Sequence, residues 1–300
     1  MKAGLIVTIV ISSSIIRSSA LLFHRPRPTL LRSMSSSIDY TLYPDLSPTL
    51  VTSIQDNVST VLSSIAQSSN SDAVLTPVSK TKPWSYLLPV LHHPSTPLST
   101  FAENYAQECT EKMNLVGAAD GLPAHTKFVF VGALQSNKIN GLVAAGAGGK
   151  LVRVETVAAS KAIQKFQAAV AAKWDGDNSS DKLEIMLQVD TSREEAKSGV
   201  DYQDVDLVKA LIKETMECDR LTYVGLMTIG ATGDMTAFDK LVELKKQVDC
   251  YVCEELNVEG FSSKLSMGMS GDYLKAIERG STNVRCGSNI FGARDYSAQK

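Results

Sequence analysis

Eight short apolar runs, most of them separated by enough chain for a helix, constrain this sequence more than any other feature. They are Val74–Val78, Leu98–Phe101, Phe128–Val131, Leu151–Val157, Leu183–Val189, Leu221–Met227, Lys264–Met267 and Asn283–Cys286. Between them, segments such as 160–174, 204–219 and 238–256 carry apolar residues at helical spacing. Near-continuous apolar strands are buried on both faces, the habit of parallel sheets. Strand–helix alternation repeated eight times therefore predicts a parallel sheet closed into a (β/α)8 barrel, with an open doubly wound sheet as the competing arrangement. Ahead of the first run, Ile54, Val58, Val61, Leu62 and Ile65 predict one additional N-terminal amphipathic helix. No long linker interrupts residues 50–296, which read as one domain.

The first 38 residues differ in kind, with four Arg, one Lys, many Ser and no Asp or Glu. Their apolar run, Leu5 to Ile11, is too short to span a membrane. A secretory signal, a plastid or mitochondrial transit peptide, or both in tandem fit this composition. A start at Met34 would instead give a cytoplasmic product, so residues 1–38 are read as a targeting leader outside the fold. A net charge of −2 over 300 residues supplies no basic surface and sets aside nucleic acid and anionic membranes as partners. The five cysteines are odd in number and scattered, against a disulfide framework. Cys250 and Cys253 form a C-x-x-C, but inside a helix-periodic segment with no second ligand pair, so they read as two helix-borne thiols and no metal site is expected.

Barrels place function at the C-terminal ends of their strands. The last two strands and their ends, "KLSMGMSGD" and "NVRCGSNIFG", combine Gly268, Gly271, Gly287 and Gly292 with Ser266, Ser270 and Ser288. Glycines admit close backbone approach and hydroxyls donate hydrogen bonds, so these ends suit a phosphate as well as they suit plain tight turns. The first strand runs into "VSKTKPW", placing Lys80 at the mouth of the predicted barrel. A lysine there is either a solvated surface residue or, partly withdrawn from water, an amine nucleophile. Lys82 lies on the same side in a strand register, or is turned away at Pro83. An amine opposite a phosphate cradle suits an aldehyde-bearing phosphate ester, and pyridoxal 5′-phosphate answers to that description, with Arg285 able to face its pyridine nitrogen.

The motifs "VSKTKP", "ENYAQE", "GALQSNK", "LQVDTSREEAKSGV", "GLMTIG", "LSMGMSGD" and "GSTNVRCGSNIFGARDY" resemble, in order and spacing, the pyridoxal phosphate homeostasis protein family over residues 50–296. The resemblance implies a lone barrel of the alanine racemase N-terminal type. It implies pyridoxal 5′-phosphate as cofactor, held as a covalent aldimine at Lys80, and Asn104 lining its pocket. It further implies Ser266, the Met267 backbone, Gly287 and Ser288 as the phosphate cradle, and Arg285 at the pyridine nitrogen. An arginine there keeps its proton, so the ring nitrogen stays unprotonated and the ring is a poor electron sink. Departures from the family pattern are Ala102 for a glycine, Val129 for a histidine, Ala158 for an acidic residue, Pro77 within a strand, and an altered segment 92–98. They bear on the rim of the pocket more than on the lysine, the arginine or the cradle.

Three functions compete. A carrier would hold and deliver pyridoxal phosphate to dependent apoenzymes without turnover, affecting amino-acid and keto-acid balance indirectly. A racemase needs a second acid/base opposite the cofactor, with Tyr105 or Tyr223 as substitutes for one from a missing second domain. A sugar-phosphate aldolase would use Lys80 and the same cradle. The resemblance favours the carrier, without catalytic residues of its own. Absence of the second domain that pairs such barrels favours a monomer.

Overall fold

The computed structural model describes residues 42–43, 45–174, 181–192, 198–230 and 234–293. The predicted leader, residues 1–38, and residues 193–197 of the "DTSREEAKSG" stretch lie outside them. The strands are β1 (Val74–Pro77), β2 (Thr100–Glu103), β3 (Lys127–Phe130), β4 (Leu151–Val157), β5 (Leu183–Asp190), β6 (Val200–Asp201), β7 (Leu221–Met227), β8 (Lys264–Met269) and β9 (Asn283–Cys286). The helices are α1 (Pro48–Ala66), α2 (Leu88–Leu91), α3 (Ala106–Asn114), α4 (Ile139–Ala145), α5 (Ser160–Lys173), α6 (Val205–Met216), α7 (Thr236–Glu254), α8 (Tyr273–Glu278) and α9 (Ser288–Phe291).

The strands pair in the order β1-β9-β8-β7-β5-β4-β3-β2, every pair parallel, with the two-residue β6 attached to β5. The ends of that path meet where Val78 and Ala102 form a parallel bridge and the Ser79 N–H donates to the Ala102 carbonyl at 3.1 Å. The expected eight-stranded barrel is therefore what the chain forms, nearly closed, with Phe101, Phe128, Phe130 and Leu151 fully buried along its wall. α1 begins at Ser47, whose hydroxyl accepts from the Leu50 N–H at 3.3 Å, and Pro48 takes the first turn, where its missing donor costs nothing. Its buried stripe is Val51, Ile54, Val58, Val61 and Ile65, while Leu62 is only half-buried. α1 packs against α2, α8 and α9, so it fills the place in the outer ring between the helices flanking β1 and β9.

Three strands run beyond their predicted ends, β5 by the single residue Asp190. β2 begins two residues later than the apolar run and takes in Glu103, because that carboxylate is buried against the Lys112 ammonium and need not end the strand. β8 continues through Met269, with one extra residue on β8 between the pairs Ser266–Asn283 and Met269–Arg285. No helix among the described residues is long and apolar enough to cross a membrane.

Candidate functional site

A cavity of about 330 Å³ opens at the C-terminal ends of the strands. Lys80 and Lys82 enter it from beyond β1, Asn104 from beyond β2, Val131 from beyond β3 and Ile229 from beyond β7. Met269, Ser270 and Gly271 enter from the end of β8, and Arg285, Gly287 and Ser288 from β9 and its sequel. A larger cavity of about 670 Å³ lies at the opposite mouth, among strand starts. There Arg153 is paired with Glu155 and Glu184, and Lys264 lies 3.7 Å from Glu184. No cluster of three metal-ligating side chains occurs among the described residues.

β1 ends in a tight turn. The Lys82 N–H donates to the Ser79 carbonyl at 3.1 Å, and Thr81 sits at φ +63°, a conformation that a β-branched residue rarely adopts. Both lysines reach the cavity, but Lys82 is held at its edge: its ammonium donates to the Ala293 carbonyl at 3.0 Å and lies over the Tyr86 ring. Residues flanking Lys80 are anchored from below. The Ser79 hydroxyl donates to Glu103 Oε1 at 2.5 Å, and the Thr81 N–H donates to Glu108 Oε2 at 3.1 Å. Lys112 joins these groups, donating to the Ser79 carbonyl, Glu103 Oε1 and Glu108 Oε1 at 2.8, 2.6 and 2.8 Å. Glu103 is fully buried, and burial pushes its carboxyl up to about 7 against the pull of Lys112. Burial also pushes up the neighbouring Cys109 thiol.

Arg285 crosses the floor of the cavity almost wholly buried. It donates to Ser266 Oγ at 2.6 Å and to the Thr228 carbonyl at 3.0 Å, and lies 3.8 Å from Glu155 Oε2. The Ser266 hydroxyl in turn donates to Glu155 Oε2 at 2.5 Å and accepts from Asn283. Ser266 and Met267, two residues of the expected cradle, are fully buried and are not among the residues that line this cavity. The extra residue in β8 carries the chain onward, so Met269, Ser270 and Gly271 form the rim instead. Ser270 Oγ accepts from the N–H groups of Gly287 and Asn289 at 3.2 and 3.3 Å, knitting the two turns together. A β-carbon at Gly287 would lie 3.2 Å from the Val78 carbonyl oxygen, so the backbone approaches closely there.

Lys80, Asn104, Arg285, Gly287 and Ser288 are brought to one cavity, as the sequence led one to expect. Asn104 Oδ1 is buried without a hydrogen-bond partner among the described residues, an acceptor facing a site that a ligand would complete. An amine, a buried guanidinium and a turn of glycines and serines within this volume fit an aldehyde-bearing phosphate ester. Neither tyrosine weighed as an acid/base lines the cavity. Tyr223 is buried against Phe261 and Ser263, its phenol pushed up by burial, and Tyr105 is half-exposed outside it. Ala102 and Val129, two departures from the family pattern, pack with Val78 and Val131 in the barrel core. Sequence reasoning missed the Glu103–Lys112 pair and Glu155. The i,i+4 spacing of Glu108 and Lys112 was visible, but nothing in the sequence showed both facing inward.

The profile of the family described as alanine racemase, N-terminal domain, matches residues 52–295. A pyridoxal phosphate homeostasis protein of Homo sapiens is 38% identical over 229 residues, covering 74% of this chain and 77% of that one. A crystal structure of a protein of unknown function from Bifidobacterium adolescentis aligns with a TM-score of 0.63 at 25% identity, covering 82% of this chain and 97% of that one. PipY of Synechococcus elongatus, solved with pyridoxal phosphate bound, aligns with a TM-score of 0.57 at 20% identity, covering 80% and 100%. At that identity the last likeness is one of fold.

Proposed function

The chain belongs to the pyridoxal phosphate homeostasis protein family, on a barrel of the alanine racemase N-terminal type, and from that premise we propose that it binds pyridoxal 5′-phosphate and holds it for dependent apoenzymes without turning over a substrate. One observation carries the reading: Lys80, Arg285 and the Ser270–Gly271/Gly287–Ser288 turns converge on a single cavity. When bound, the cofactor supplies an aldehyde for an amine and a phosphate for hydrogen-bond donors. Lys80 would be the covalent anchor, its amine the group that takes the aldehyde. Ser270, Gly271, Gly287 and Ser288 receive the phosphate. The Arg285 guanidinium remains a cation and holds its own protons. Among the described residues, none of those lining the cavity is a Tyr, His, Asp or Glu, which supports a holding role over proton transfer at a bound substrate.

The absorbance spectrum of the chain with added pyridoxal phosphate, before and after borohydride, tests the anchor. Wild type is expected to show a bound-cofactor band that borohydride removes, and Lys80→Ala to lack it. A persistent band in the variant would move the anchor elsewhere. Incubating the loaded protein with amino acids in deuterated water tests the absence of turnover. Deuterium at the α-carbon faster than with free cofactor would restore the racemase reading.

A further inference from the structure

We propose that Lys112 is a positioning residue for Lys80, clamping the 79–82 turn so that the chain retains its cofactor. This rests on the carrier reading above and names what sets its rate of release.

An ammonium has three N–H donors, and Lys112 gives each to a different place: the Ser79 carbonyl beyond β1, Glu103 at the end of β2, and Glu108 one turn earlier on α3. Glu103 also accepts from the Ser79 hydroxyl and Glu108 from the Thr81 N–H, so both residues flanking Lys80 hang on this one cluster. Lys112 and Glu103 are 4% and 0% exposed. Burying charges is a poor source of stability compared with apolar packing, and such pairs earn retention where they specify one arrangement. The arrangement specified here is the Lys80 turn. It holds Thr81 at φ +63°, a backbone state that persists only where surrounding contacts over-determine it. Without the ammonium, the Ser79 carbonyl loses its donor and two carboxylates are left facing one another, so the turn would relax and Lys80 with it.

The test uses the full chain and two variants. Lys112→Met removes the donor. Glu103→Gln with Lys112→Met removes both buried charges, and serves where the single variant does not fold. Two readouts go beyond stability. In cofactor-free protein, hydrogen exchange at the Thr81 and Lys82 amides is expected to quicken at least tenfold, with β4 and β5 unchanged. In protein loaded with pyridoxal phosphate, the bound band is expected to decay about tenfold faster after gel filtration into cofactor-free buffer. Lys112→Arg, which keeps a cation, should recover part of both. A folded variant with wild-type exchange and wild-type release would overturn the clamp and leave the cluster a purely structural one. If wild type takes no pyridoxal phosphate, the carrier reading fails by itself, and amide exchange alone decides whether Lys112 holds the turn.

Discussion

Glu103 titrates in a cluster made of Lys112, Glu108 and Cys109 from α3 and Ser79 from beyond β1, and burial dominates its surroundings. Its carboxyl is raised from 4.5 to about 7 in the folded chain. A group that binds its proton more tightly when folded adds stability that is fully present below its unfolded value. That contribution is lost as pH rises through about 7. Urea unfolding from pH 5 to pH 8 is therefore expected to show wild type losing on the order of 2–3 kcal/mol relative to Glu103→Gln, which cannot titrate. Parallel pH profiles would mean that Lys112 compensates the ionised carboxylate in full. Ser266 bears a second residue-scale expectation. Its hydroxyl is shared by Arg285 and Glu155, so Ser266→Ala leaves two buried charged groups each short of a partner and should cost about 2 kcal/mol in denaturant unfolding. Only the pairing of strands shows this role, since in sequence Ser266 and Ser270 are equivalent hydroxyls four residues apart.

At the scale of elements, helices were the more legible. α5 lies where the 160–174 periodicity placed it, because a one-sided apolar stripe is a local signal. Strand ends were less so, since Glu103 extends β2 only by virtue of a partner nine residues on. Glycines divide on the same line. A β-carbon at Gly132, just past β3, would fall 1.7 Å from the Asn104 carbonyl oxygen, so the backbones of the β2 and β3 ends touch there. Gly132→Ala is expected to cost about 3 kcal/mol and to weaken pyridoxal phosphate binding at least tenfold by displacing Asn104. Gly141 is exposed within α4, and a β-carbon there would meet nothing within 4 Å. Gly141→Ala should stabilise the chain by about 0.5–1 kcal/mol. Unfolding curves of the two variants side by side test whether close backbone approach, and not glycine content, governs these strand ends.

For the whole molecule, the exposed large apolar side chains of the described residues are Leu42, Val74, Tyr105, Leu207, Ile229 and Leu274, and the monomer expected from sequence is a proposal. Light scattering after size exclusion should return a mass near 32.3 kDa for the full chain; twice that mass would refute it. A chain begun at Met34 is expected to unfold at the same temperature as the full chain, as it must if residues 1–38 serve as an organelle address and not as part of the barrel. The sequence by itself determined the eight-stranded barrel, the added helix, and the meeting of the lysine, arginine and glycine–serine ends at one rim. Repeated strand–helix alternation is a local pattern, and the rule that barrels gather strand ends at one rim turns it into a location. Tertiary structure alone decided that Ser270 and not Ser266 meets the cavity, and that Glu103, Glu108 and Lys112 meet beneath Lys80. Both depend on register and on which buried charges find each other, distances set between strands and helices that no window of sequence contains.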